Sequence, residues 1–191
     1  MKRKFIKAIV FILLFLSLPV SAADSFLDVP LDHPYREAIE YVRSKNIVQG
    51  YPDGTYRPDQ PINRAEFTKI IMESVVRGPM EGVNCFPDVH NQWFERYVCT
   101  AHRLEIIKGY PDGLFRPANS INFAEAAKIL TQSFHLKEKN VSDQSEVWYQ
   151  PYVEALSEQY SIPTSITEFD HFLTRGEMAE MITRLRLKDT S

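Results

Sequence analysis

An all-α fold of three helix–turn–helix repeats within one domain is predicted by three features of the sequence. "GYPDGTYRP" at 50–58 returns as "GYPDGLFRP" at 109–117. Apolar residues upstream of each copy recur at helical spacing. A third, degraded copy of the same frame fills the remainder of the chain, and a period of this size marks a repeat architecture. The 24 residues from Gly50 and the 24 from Gly109 agree at 13 positions without a gap. Before them "YREAIEYVRSKNIVQ" parallels "FERYVCTAHRLEIIK", and "FLDVPLDHP" (26–34) parallels "FPDVHNQW" (86–93) with one residue inserted. In the third copy "VWYQPYVEALSEQYSI" (147–162) and "FLTRGEMAEMITRL" (172–185) keep the frame, while "PTSITEFDH" replaces the glycine turn.

Taken in order, residues 1–22 read as an export signal: Lys2, Arg3, Lys4 and Lys7, an apolar run from Ala8 to Leu18, then small residues before a cut after Ala22. The apolar run is short for a membrane span and no second one follows, so no transmembrane segment is expected in the mature chain. The units then occupy 23–78, 79–137 and 138–191. The first helix of each carries one apolar face: Tyr35, Ala38, Ile39 and Val42, then Phe94, Tyr97, Val98 and Ala101, then Tyr152, Val153 and Leu156. The glycine that ends each connection is expected to stop this helix, and Pro-Asp-Gly to set a reverse turn. The second helix opens on a capping box in every unit, Asn63 with Glu66, Asn122 with Glu125 and Thr174 with Glu177, and helix is expected over 63–75, 122–133 and 174–186. Ile62 with Phe67 and Leu173 with Met178 flank two of the boxes as hydrophobic staples. The box gives these glutamates a structural role as caps, in place of a general-acid role.

Composition excludes several classes. Loss of the signal removes four basic residues, leaving 18 Lys+Arg against 25 Asp+Glu, a formal charge near −7. That excess argues against a nucleic-acid footprint and against attraction to anionic lipid.

With these motifs in view, the chain resembles the S-layer homology family. Its openings "FLDV" and "FPDV", its middle "GYPDG" segments, and its endings Asn63-Arg64-Ala65-Glu66, Asn122-Phe123-Ala124-Glu125 and Thr174-Arg175-Gly176-Glu177 follow the family pattern. The resemblance implies one pseudo-threefold helical domain built from three tandem units. It implies a non-catalytic module that holds exported proteins on the bacterial cell wall by binding a wall polysaccharide, often pyruvylated, in grooves between units. The family's ligand-facing cation falls on Arg64 and Arg175. A guanidinium fork suits a carboxylate, and a residue just past the cap is expected beside free helix-end amides. Phe123 replaces the arginine in unit two. Trp93 and Trp148 suit either stacking on sugar rings or packing between units, and Trp93 joins the ligand-binding set. The alternative reading is a structural envelope protein that pairs with other surface-layer proteins and binds no glycan.

Cys85 and Cys99 are the only cysteines. In an oxidising medium they are expected to form a disulfide. The rival zinc reading, C-x4-H-x8-C-x2-H with His90 and His102, fits no common zinc module. Asp53 and Asp112 supply too few oxygens for a calcium loop, so the repeated turn is read as a joint. No metal or cofactor is expected. No nucleophile, base and orienting group recur as a set, which argues against an enzyme.

Overall fold

The computed structural model describes residues 25–78, 80–138 and 147–188, so the signal reading of 1–22 lies outside the described residues. Six helices occur among them: α1 (Arg36–Ser44), α2 (Arg64–Val75), α3 (Glu95–Arg103), α4 (Phe123–Ser133), α5 (Gln150–Glu158) and α6 (Arg175–Lys188). Isolated bridges take the place of sheet among these residues.

The three second helices start one residue after their expected caps. Asn63 accepts the Glu66 N–H at 2.9 Å and Asn122 accepts that of Glu125 at 2.9 Å. Thr174 Oγ1 accepts the Glu177 N–H at 3.2 Å, and the Glu177 carboxylate takes the Thr174 N–H at 2.9 Å. The first helices do not stop at glycine. α1 and α3 stop four residues earlier, on Asn46 and Glu105, and α5, which no glycine turn follows, stops on Tyr160; the φ values are 57°, 60° and 49°. Each stop is a Schellman pair. Asn46 N–H reaches Arg43 C=O at 2.8 Å and Ile47 N–H reaches Val42 C=O at 2.9 Å, and the same pattern recurs after α3 and α5. The closing bonds and the burial of Ile47 and Ile106 outweigh the cost of a left-handed side-chain residue.

Gly50 and Gly109 have another role. At φ +74° and +73° they lie so close to the opening phenylalanines that an added Cβ would stand 2.2 Å from Phe26 Cε1 and 2.6 Å from Phe86 Cε1. Two residues on from each phenylalanine, Asp28 accepts the N–H groups of Tyr56 (2.7 Å) and Arg57 (2.6 Å), and Asp88 those of Phe115 (2.9 Å) and Arg116 (2.7 Å). Opening motif and glycine turn therefore recur together because each holds the other.

Closure into a ring comes from the residues just before the caps. Ile62 N–H donates to Leu173 C=O at 2.9 Å, Leu173 N–H to Ile121 C=O at 3.0 Å, and Ile121 N–H to Ile62 C=O at 3.1 Å. All three side chains are fully buried. The ring also consumes the helix-end amides that were expected to be free. Arg64 and Ala65 N–H donate to Asn119 and Pro117, Phe123 and Ala124 to His171 and Phe169, and Arg175 and Gly176 to Gln60 and Pro58. A buried helix end requires such partners, so no anion site remains on those amides.

Helix pairing crosses the repeat boundaries. α2 packs on α3, α4 on α5 and α6 on α1, and α2 also meets α4 and α6. Among the described residues the two helices of one unit are not neighbours. One continuous apolar core results, with Tyr56, Phe67 and Phe115 among its largest buried side chains. Cys85 and Cys99 are joined as a disulfide, tying the opening of unit two to α3.

Candidate functional site

Because each second helix meets loops of its neighbours, every groove is assembled from three units. The first groove has a volume of about 460 Å³ and is bounded by the turn at Gly109-Tyr110, the α4 residues Glu125 and Lys128, Arg64 from unit one and Trp148 from unit three. The second, about 180 Å³, repeats the arrangement with Gly50-Tyr51, Glu66 and Lys69 on α2, Arg175 and Trp93. The repeated turn is thus more than a joint: the same residues that fix the fold form a wall of each groove.

Both arginines lie at these walls, largely buried. Arg64 Nε donates to Phe115 C=O at 3.0 Å, Nη1 is 3.4 Å from Glu125 Oε2, and the guanidinium centre stands 4.6 Å from the Tyr110 ring centroid. Arg175 repeats this with Tyr56 C=O at 2.8 Å, Glu66 Oε2 at 3.6 Å and the Tyr51 ring at 4.9 Å. On the other side of each tyrosine sits a turn arginine, Arg57 at 3.9 Å from Tyr51 and Arg116 at 4.4 Å from Tyr110.

The capping glutamates have this second role as groove residues. Glu125 accepts the Tyr110 O–H at 2.5 Å and only a long 3.4 Å return bond from the Asn122 N–H. Burial first, and then that hydrogen bond, push the Tyr110 hydroxyl up to about 12, so it remains a donor at physiological pH. Glu66 turns its carboxylate to Arg175.

Trp93 and Trp148 are more than half exposed, which favours open ring faces over packing between units. Lys69 and Lys128 went unnoticed in the sequence, although each lies three residues after a capping glutamate and so on the same helical face.

The third groove keeps the capping glutamate, as Glu177, and is changed at the four other corresponding positions. Phe123, 3% exposed, replaces the arginine, Ser165 the tyrosine, Pro34 the tryptophan and Glu180 the lysine. There Glu177 accepts from Ser165 Oγ at 2.6 Å and lies 2.9 Å from His171 Nε2, while Tyr35 Oη meets Ser165 Oγ at 2.7 Å. Burial pushes the Glu177 carboxyl up, but the bonds from Ser165, the Thr174 N–H and His171 outweigh it and hold it below its ordinary value. Serine, glutamate and histidine meet here with the carboxylate in the middle. The imidazole does not face the hydroxyl, and a nucleophile needs that contact. Among the described residues no group of three or more His, Cys, Asp and Glu could hold a metal ion. Asp53 and Asp112 instead pair with Arg57 and Arg116 at 2.9 and 2.7 Å. No helix among the described residues is long and apolar enough to cross a membrane.

Comparison with known proteins agrees with this architecture. Residues 25–68 and 86–127 match the S-layer homology domain. The chain is 37% identical over 114 residues to a cellulosome-anchoring protein of Acetivibrio thermocellus, covering 57% of this chain and 26% of that protein. It is 36% identical over 126 residues to an S-layer protein of Bacillus licheniformis (63% and 14%) and 30% identical over 159 residues to a middle cell wall protein of Brevibacillus brevis (80% and 14%). The chain therefore spans about a quarter or less of the length of these relatives. The matched domain and these relatives are structural and not enzymatic, and they indicate an exported protein of the bacterial cell surface. By these two matches, each carrying the opening, turn and cap that build the grooves, residues 25–68 and 86–127 are S-layer homology units.

Proposed function

We propose that the chain is an exported, non-catalytic wall-binding module whose ligand is an acidic, pyruvylated cell-wall polysaccharide held in the first and second grooves. In this reading residues 138–191 are a diverged third unit that completes the ring and offers no equivalent site. The observation that carries it is the recurrence of one set of groups in two grooves: a stacked arginine, a tyrosine, a lysine and an exposed tryptophan. Exposed indoles beside cations suit a sugar bearing negative charge. The cellulosome-anchoring and S-layer relatives lend support to the anchoring role.

The test is co-sedimentation of the protein with purified cell wall, before and after the wall polysaccharide is stripped. Binding lost on stripping is the expected result. Binding unchanged by stripping, or none to either wall, refutes the glycan reading. A second reading, pairing with other surface-layer proteins, is favoured by the rebuilt third groove and by exposed Tyr160 and Phe172 in unit three. It predicts self-association or capture of a surface-layer protein with no wall present.

A further inference from the structure

We propose that the anionic group of the ligand is taken by the groove lysine and its sugar ring by the facing tryptophan, with the buried arginine as a positioning residue, and that the first groove is the stronger site. This rests on the polysaccharide reading and names the recognition chemistry within it.

The arginines have little to offer a ligand. Their side chains are only 7% and 6% exposed, each is ion-paired to a glutamate, and each guanidinium is stacked on two aromatic rings. A cation in that state organises tyrosine, glutamate and turn into a wall. Lys128 differs. Among the described residues no carboxylate lies within ion-pair distance of it, and its ammonium stands 5.9 Å from the Trp148 ring centroid and 5.7 Å from that of Tyr152. Aromatic faces hold such a charge in place without satisfying its three hydrogen-bond donors. Trp148 itself is 54% exposed and packs near-perpendicular on Tyr149, with ring centroids 5.5 Å apart. An ammonium held beside a half-exposed indole suits a hexopyranose that carries a carboxylate, with the sugar against Trp148 and the carboxylate on Lys128.

The two grooves are unequal in the same terms. Lys108 adds to the first groove a second cation with no ion-pair partner among the described residues, where the second has Gln49. The volumes, about 460 against 180 Å³, point the same way. After Arg64 and Arg175 are balanced by Glu125 and Glu66, two lysines remain in the first groove and one in the second.

Calorimetric titration of the full chain with purified wall polysaccharide fragments tests this. Lys128→Gln is expected to weaken binding on the order of tenfold, the loss of one charged hydrogen bond. Lys69→Gln should cost less, Lys128→Arg should retain most of the affinity, and Trp148→Ala should weaken binding with an unchanged melting temperature. Fragments treated with mild acid to remove ketals, and fragments with uronate carboxyls reduced, identify which carboxylate is read. Arg64→Gln should lower the melting temperature, whereas Lys128→Gln should not. The proposal is overturned if Lys128→Gln binds like the unaltered protein, or if Lys69→Gln costs more than Lys128→Gln. Absence of binding by the unaltered protein would instead refute the polysaccharide reading itself.

Discussion

Arg64→Ala should be primarily a stability variant. The side chain is 7% exposed, and its removal leaves the Phe115 carbonyl without the Nε–H bond and the Glu125 carboxylate without its counter-charge. Breaking a buried ion pair from one side costs about 3–5 kcal/mol. Glu125 is 18% exposed and keeps the Tyr110 hydroxyl, so part of that cost is relieved. We expect a loss of about 2–4 kcal/mol. For a domain of this size that corresponds to a melting temperature lower by roughly 5–12 °C. The assay is thermal unfolding at neutral pH by circular dichroism, with Glu125→Gln and the double variant completing a cycle. Coupling should appear as a double variant less damaged than the sum of the two single ones. Arg175→Ala, which shares no partner with Arg64, should add nearly independently. An Arg64→Ala protein that melts with the unaltered one would refute the buried-pair argument and return the arginine to the role of a free ligand contact.

Other expectations follow from the same geometry. The protein should show no titratable thiol until reduced, and reduction of Cys85–Cys99 should cost about 3 kcal/mol on loop-entropy grounds; unchanged melting on reduction would count against a structural bond. Glu177 has a carboxyl held below its ordinary 4.5, so its contribution is fully present above that value and is lost as pH falls through the lower folded value. Glu177→Gln should flatten the acid limb of stability against pH, and an identical limb would refute it. Gly109→Ala should destabilise more than Gly113→Ala: both have positive φ, but only at Gly109 does the new Cβ meet Phe86. Equal losses would show that backbone strain alone matters. Phe123→Arg should lower stability without creating a third site, since it would place a charge at a 3%-exposed position where Ser165 stands in place of the turn tyrosine; a gain in bound ligand per chain would overturn that.

Local interactions were legible in the sequence. A cap and its glutamate lie three residues apart, so Asn63, Asn122 and Thr174 could be read directly, and helix starts were correct to one residue. The disulfide followed from the cysteine count and the compartment. The stops of the first helices, α1, α3 and α5, were not legible, because Asn46, Glu105 and Tyr160 adopt left-handed backbone without being glycine, and no residue type announced it. The grooves were half legible. Arg64, Arg175 and Trp93 were named from the sequence, but only the tertiary structure decided what they face. The fold takes α3 onto α2 and α6 onto α1, and it sets Arg64 of unit one against Glu125 of unit two and Arg175 of unit three against Glu66 of unit one. Those pairings are fixed by the cyclic hydrogen bonds of Ile62, Ile121 and Leu173, which join residues more than fifty positions apart. Periodicity along a chain reports which face of a helix is buried, and it carries no information about which distant segment buries it.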